Sequence, residues 1–145
     1  MCLNVCGSKL VRVKALNDIK CYKVMGIKKD GKLITPYIHF PMEKGKIYED
    51  KENEKIEKDF CIFLKEKYRL DVRYGYQIYN GFFHTFEQEA DAKRDCDEFN
   101  RKRLNKDVVY QVYPCIIPSG SEYIKGIGVE EESSFASKKL MIMDD

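Results

Sequence analysis

The chain has 145 residues, 43% of them hydrophobic and 34% charged, which is the size and composition of one domain with a polar surface. Its 26 basic and 24 acidic residues give a net charge of +2, so the composition argues against bulk binding of nucleic acid. The sequence also lacks an apolar run of about 18 residues, the length that a membrane helix requires, and we expect no membrane span.

The first predicted strand is DIKCYKVM, residues 18–25, which follows an N-terminal stretch without clear periodicity. In an extended chain, Cys21 and Lys23 face one side of the sheet, while Tyr22 and Val24 face the other. Sequence alone does not say which side is buried.

Turn signals follow this strand. The pair Asp30-Gly31 supplies the positive φ that a tight hairpin turn needs. Pro36 has no N–H, which places its segment, LITPYIHF, at a sheet edge or a bend. We therefore predict a hairpin followed by an extended segment at the sheet edge.

The clearest helical pattern predicts a helix over residues 52–68. Its apolar residues recur at the spacing of one helix face, with charged residues around them. These apolar residues are Ile56, Phe60, Phe63, Leu64 and Tyr68. We interpret the surrounding charges as a solvated face.

A second helix is predicted over residues 86–103, after the aromatic strand LDVRYGYQIYN. Thr85 is suited to the N-cap position, and Gln88 three residues later completes a capping box. The predicted inner face of this helix consists of Ala92, Cys96 and Phe99.

The C-terminal third is predicted to be strands. DVVYQVYPCII is a long strand, PSGS a turn, SEYIKG a short strand, IGVEEESS an acidic loop and KLMIM a closing strand. The order of elements predicts an α+β fold: a small mixed, mostly antiparallel sheet with two packed helices. We predict an N-terminal arm over residues 1–17 and a single α+β domain over 18–145.

The six cysteines are predicted to be reduced. Several lie in apolar segments, and the first ten residues, MCLNVCGSKL, lack the apolar run of a secretory signal. We therefore expect a cytoplasmic protein. Cys2 and Cys6 have the wrong spacing for a zinc knuckle, so no metal and no cofactor are expected.

Catalytic motifs are scarce in this chain. It contains no glycine-rich phosphate loop, no G-x-S-x-G and no H-E-x-x-H. His39 lies between Ile38 and Phe40 in an extended segment, and we interpret it as structural. Nothing selects one Cys-His pair among the cysteines and two histidines.

The segment NGFFHTF, residues 80–86, is the most suggestive stretch. A glycine that allows close approach, a histidine and a predicted helix start together suit an anion such as phosphate. The predicted ligand-binding residues are Gly81, Phe82, His84 and Thr85, joined by Tyr22 and Lys23 if the first strand lies alongside. The alternative is that the aromatic residues pack, His84 bonds to the backbone, and the site lies elsewhere, for example on the acidic loop 129–134.

The aromatic strand YGYQIY has two interpretations of its own. Tyrosines that alternate on one sheet face can stack nucleic-acid bases. Tyrosine is also a common strand residue, and the basic residues here are scattered along the chain. We favour the structural interpretation.

Several short segments resemble a group of small bacteriophage and prophage proteins that have no assigned activity. In chain order these segments are MCLN, DIKCYKVM, TPY, GKIY, GFFHTF, CIIPSGSEYIKG and ASKKLMI. The group's central motif is Gly-Phe-His-Ser/Thr-Phe/Tyr, and this chain carries an additional Phe83. The resemblance spans nearly the whole chain and implies a phage or mobile-element origin. It therefore also implies that the cytoplasm in question is that of a bacterial host.

The chain also shows a more distant likeness to the ADP-ribosyltransferase fold. CYKVM resembles that fold's first strand, GFFHTF its second element, and the long strand ending in PSG its third. Lys23 stands where that family has Arg or His, and Glu130, Glu131 and Glu132 lie in a predicted loop rather than at the last strand. The likeness therefore implies the fold more than the activity.

These observations predict a non-enzymatic phage accessory protein that binds a host protein or an anionic, nucleotide-like small molecule, with sequestration as a means of counter-defence. One alternative is an ADP-ribosyltransferase-like enzyme that uses Lys23, His84 and an acidic residue from 130–132. Another is a structural or assembly protein that acts through protein contacts only. A homo-oligomer is compatible with each.

Overall fold

The computed structural model describes residues 3–6, 13–36, 39–50, 76–79, 83–102, 106–127 and 132–144. These ranges contain twelve strands and one helix. The strands are β1 (Leu3–Cys6), β2 (Val13–Lys14), β3 (Ile19–Ile27), β4 (Leu33–Ile34), β5 (Pro41–Met42), β6 (Ile47–Glu49), β7 (Tyr76–Tyr79), β8 (Phe83–Phe86), β9 (Val109–Ile117), β10 (Glu122–Ile127), β11 (Ser133–Ser137) and β12 (Lys139–Ile142). The helix is α1 (Glu89–Arg101).

One sheet joins these strands in the order β6-β12-β9-β3-β8-β11-β10-β1-β7, with β2 beside β10, and β4 and β5 continuing from β3. Every ladder between the described strands is antiparallel. The longest ladder joins β3 and β9 over their full lengths, from Ile19↔Ile117 to Ile27↔Val109. The β3–β9 pair is therefore the centre of the sheet.

Pro114 fits inside the β3–β9 ladder because its backbone N and C=O point away from β3. Its carbonyl accepts a hydrogen bond from the N–H of Met143, 3.0 Å away, just beyond the end of β12. The N and the C=O of a strand residue point to the same side, so the missing N–H of Pro114 faces the end of β12 and not β3. The β3–β9 bonds therefore remain intact.

The sheet is narrowest between β3 and β8. These strands share a single backbone pair, Tyr22↔Phe86, whereas β8 pairs with β11 along its whole length. The two strands on either side of Lys138 also lie in different parts of the sheet. β11 lies between β8 and β10, whereas β12 lies between β9 and β6. The sheet consequently consists of two halves that meet at the β3–β8 junction.

The two faces of the sheet carry different cores. Helix α1 covers one face, where Ala92 and Cys96 pack against Val24 and Phe86. The opposite face carries the larger apolar cluster, whose buried members include Cys21, Met25, Phe83, Cys115, Ile117, Phe135, Leu140 and Ile142. Burial on both faces explains why the second half of β3 is nearly continuous in hydrophobic residues.

Asn100 attaches the end of α1 to β9. Its Nδ2 donates to the carbonyl of Tyr110, and its Oδ1 accepts from the N–H of Tyr110, both at 3.0 Å. The described part of β12 pairs with β9 only at Cys115 and Ile116, so the Asn100 amide takes the place of a strand neighbour for Tyr110. The ring of Phe99 also packs on that of Tyr110, with centroids 5.0 Å apart.

The predicted mostly antiparallel sheet is confirmed, as are the first strand, the hairpin turn at Gly31, the long strand β9 and the closing strand β12. The predicted helix over 52–68 lies outside the described residues. Within residues 1–17, where irregular chain was predicted, β1 and β2 join the sheet by pairing with β10. Both strands are only a few residues long and carry little strand signal, so tertiary pairing decides their conformation.

The start of the second helix was predicted wrongly. The helix begins at Glu89, not at residue 86, and Gln88 is its N-cap without a side-chain capping bond. Thr85, the predicted cap, lies inside β8. Pairing with β11 keeps FHTF extended, so sheet formation overrides the capping pattern.

Replacing Asn100 by Ala should lower the free energy of unfolding by about 2 kcal/mol, because two hydrogen bonds to a half-buried backbone are lost. Urea denaturation measures the change. Lys93→Ala, on the exposed side of the same helix, is the control and should stay within about 0.5 kcal/mol. Equal effects of the two substitutions would show that Asn100 does not attach α1 to the sheet.

Candidate functional site

The predicted ligand-binding segment is a buried strand. All four residues of β8 are buried, including His84 and Thr85 at 8% and 1% exposure. The N-terminal amides of α1 begin several residues later, so they do not adjoin His84 as the anion-binding prediction assumed. Gly81 and Phe82, also predicted to bind ligand, lie outside the described residues.

The structure does bring together three of the predicted residues. Lys23 is buried, and its Nζ donates a hydrogen bond to the carbonyl of His84 at 2.8 Å. The register Tyr22↔Phe86 places Lys23 beside Thr85 on the same face of the sheet. Tyr22 points to the opposite face and packs against the core under α1.

Burial changes the protonation of the groups around Lys23. Desolvation lowers the pKa of Lys23, although the nearby thiols and Asp95 act in the opposite direction. Desolvation also raises the pKa of Cys21 to about 11 and raises that of Cys115. Both thiols are therefore neutral at ordinary pH and are poor nucleophiles.

The described cysteines agree with the prediction of reduced thiols. Cys21, Cys96 and Cys115 are free and buried. Cys21 and Cys115 are direct cross-strand partners in the β3–β9 ladder. The side chains of the other cysteines lie outside the described residues.

We call Lys23, Thr85 and Ser137 the polar stripe. Ser137 pairs with Phe83 across β8 and β11, so its side chain lies diagonal to that of Thr85 on the same face. The stripe crosses three neighbouring strands through the larger apolar core. Ser137 is fully buried.

An open groove lies on the same face of the sheet, at the end of β3. Its volume is about 690 Å³, within the range of small-molecule sites. Ile27, Leu33 and Met42 supply apolar walls. Tyr113, which also lines the groove, is the cross-strand partner of Lys23.

Cations and aromatic rings alternate along this groove. The Nζ of Lys44 lies 5.3 Å from the ring centroid of Tyr113, and the Nζ of Lys46 lies 5.4 Å from that of Tyr48. Phe40 meets Tyr48 edge-on with centroids 5.7 Å apart. Each cation is attracted to the electron-rich face of its ring, which keeps the charge at the groove.

Local backbone features hold the groove residues in place. The N–H of Phe40 donates to Thr35 Oγ1, and the N–H of Thr35 donates to the carbonyl of Phe40, both at 2.9 Å. Gly45, with φ +76°, donates its N–H to the carbonyl of Ile142 at 2.7 Å. The segment that carries Lys44 and Lys46 is thereby fixed to β12.

Sequence reasoning missed the groove. Its signal in MEKGKIYED is a turn glycine with a lysine on each side, followed by a tyrosine. That pattern is equally typical of a solvated turn. Only the fold brings Tyr113, more than sixty residues later, beneath Lys44.

The residues of the enzyme alternative are only partly described. Lys23 contacts the carbonyl of His84. Glu130 and Glu131 lie outside the described residues, and Glu132 is half-buried just before β11.

Among the described residues, no group of three or more His, Cys, Asp or Glu side chains is arranged to hold a metal ion. In the same ranges, no helix combines the length and apolar character needed to cross a membrane.

Comparisons with protein-family models, with curated proteins and with solved structures give no significant match for this chain. The resemblances to phage proteins and to the ADP-ribosyltransferase fold therefore stay predictions.

The lowered pKa of Lys23 predicts a pH dependence of stability. Below the ordinary lysine pKa of 10.5, the unfolded chain takes up this proton more readily than the folded chain. The free energy of unfolding should therefore rise with pH up to 10.5 and fall as pH drops toward the folded pKa. Below pH 9.0, the ordinary value for cysteine, the opposing effect of the buried thiols is small.

Urea denaturation of the wild type and of Lys23→Met, at several pH values up to about 9, tests this linkage. The wild type should gain stability relative to Lys23→Met as pH rises. A constant difference between the two proteins across this range would mean that Lys23 has an ordinary pKa in the folded state.

Proposed function

We propose that this protein is a non-enzymatic binding protein that holds an anionic small molecule with a planar aromatic group, such as a nucleotide, in the groove. The observation that supports this proposal is the placement of two lysine ammonium groups over two aromatic rings that line one cavity. Such a site offers charge and a flat apolar surface to the same ligand.

The charge of the groove favours an anion. Three lysines line it, Lys32, Lys44 and Lys46, against one carboxylate, Glu43. The chain as a whole carries nearly balanced charge, so this local excess is a feature of the groove and not of the composition. A phosphate or carboxylate gains charge-assisted hydrogen bonds from lysines at this position.

The shape and the apolar lining favour an aromatic group. Phe40 lines the groove and is partly exposed, whereas the apolar side chains of the core are buried. Stacking on an aromatic side chain contributes about 1–3 kcal/mol per base and tolerates different bases. The groove volume accommodates a ligand of nucleotide size.

Binding without turnover is the better supported activity. The polar side chains that line the groove are the three lysines, Glu43 and two tyrosines, which suit recognition more than a nucleophile–base pair. Cys21 and Cys115 are buried with raised pKa values away from this lining. The resemblance to phage proteins adds a biological role, namely sequestration of a small host molecule as counter-defence.

Isothermal titration with a panel of nucleotides and their nucleosides tests the proposal. Lys44→Ala and Lys46→Ala should each weaken nucleotide binding about tenfold, because each removes one charge-assisted contact. Lys20→Ala is the matched control. Lys20 also lies over a tyrosine ring, that of Tyr22 at 5.9 Å, but it is not among the residues that line the groove.

Phe40→Ala separates the aromatic contribution from the charge. It should weaken nucleotide binding while leaving the binding of inorganic pyrophosphate unchanged, since pyrophosphate has no ring to stack. Lys44→Ala should weaken both. Nucleotide binding that is unaffected by all three groove substitutions would place the site elsewhere and overturn the proposal.

A further inference from the structure

The two lysine–tyrosine pairs of the groove lie on different strands. Tyr48 belongs to β6 and Tyr113 to β9, and β12 lies between these two strands. Lys46 covers the ring of Tyr48, whereas Lys44 covers that of Tyr113. Although only one residue separates the lysines in the sequence, their ammonium groups are directed to two rings and not to one point.

The registers of β12 give the separation of the two rings. Leu140 pairs with Tyr48, whereas Ile142 pairs with Cys115, which lies two residues from Tyr113. The tyrosines are therefore offset by about 13 Å along the strands and by about 10 Å across β12, so that their Cα atoms lie about 16 Å apart. Both rings pack against the same core, so both lie on the groove face of the sheet.

The turn between the two lysines also keeps their charges apart. Gly45 has a φ of +76°, and its N–H donates to the carbonyl of Ile142 at 2.7 Å. The carboxylate of Asp144 lies against this turn, since a Cβ placed on Gly45 would lie 3.4 Å from Asp144 Oδ2. An anion that bridged both lysines at the turn would meet this carboxylate, so the local charge favours anions that lie further out, beside the rings.

We propose that the groove binds a nucleotide whose phosphates lie at separate positions of the ribose, such as a nucleoside 3′,5′-bisphosphate, with one phosphate at Lys44 and the other at Lys46. This inference rests on the proposed function and names the ligand class of the same groove. The phosphates of a diphosphate chain share a bridging oxygen and cannot meet two lysines that diverge, whereas phosphates on opposite sides of a ribose can. Phe40 in the same lining offers a ring on which the base can stack.

Isothermal titration with three adenine nucleotides tests the arrangement of the phosphates. Adenosine 3′,5′-bisphosphate has its phosphates apart, ADP is its isomer with both in one chain, and ATP carries one phosphate more in such a chain. The wild type should bind the bisphosphate about tenfold more tightly than ADP or ATP, because only the separated phosphates bond directly to both lysines. Adenosine gives the affinity without phosphate.

Lys44→Met and Lys46→Met test whether the two lysines produce this preference. Each substitution removes one charge and keeps most of the apolar stem that packs on the ring. Each should weaken binding of the bisphosphate about tenfold and bring it within about twofold of ADP. Lys20→Met is the matched control, since Lys20 also lies over a tyrosine ring but not in the groove lining, and it should keep the preference.

The outcomes separate this inference from the proposed function. If the wild type binds all three nucleotides equally, and more tightly than adenosine, the groove binds nucleotides but the inference about separated phosphates is wrong. If none of them binds, both are wrong. A preference for the bisphosphate that persists in both Lys44→Met and Lys46→Met would also overturn the inference, because other groups would then select the ligand.

Discussion

The structure depends on how the two halves of the sheet meet between β3 and β8. One backbone pair, Tyr22↔Phe86, joins the halves there, and the Lys23 side chain supplies a further bond by donating to the His84 carbonyl. A side-chain donor thus replaces a ladder hydrogen bond at the narrowest part of the sheet. Because this donor is a lysine, the junction places an ionisable amine inside an apolar core.

That constraint also organises the candidate sites. The residues next to the junction on the same face include the hydroxyl of Thr85 and the thiols of Cys21 and Cys115, and the groove beyond Tyr113 gathers three more lysines. The chain has a net charge of only +2, so the fold and not the composition concentrates positive charge on this side. This concentration of positive charge is why an anion is proposed as the ligand of the groove.

The sequence predicted those elements whose local signals agree with their pairing. The strand 18–25, the Asp30-Gly31 turn and the long strand that ends before PSGS combine strand propensity with turn chemistry. The start of α1 could not be predicted from the capping box, since β11 holds FHTF extended and only then does the helix begin. Pairing with β11, a strand distant in the sequence, thus decided that FHTF is a strand and not the start of a helix.

The candidate sites show the same limit of prediction from the sequence. Lys23, His84 and Thr85 were predicted to lie together, and they do, but as a buried junction and not at a helix start. Ser137 has no distinguishing signal in ASKKL, and it joins the stripe only through its pairing with Phe83. Chemistry that depends on register across strands is not visible along the chain.

Hydrogen exchange of the backbone amides in Lys23→Met, compared with the wild type, tests the role of the junction most directly. If the ammonium holds the two halves together, protection should fall in β8 and at Tyr22 while the β3–β9 ladder stays protected. An unchanged pattern of protection would contradict the account, because the halves would then be held by packing alone.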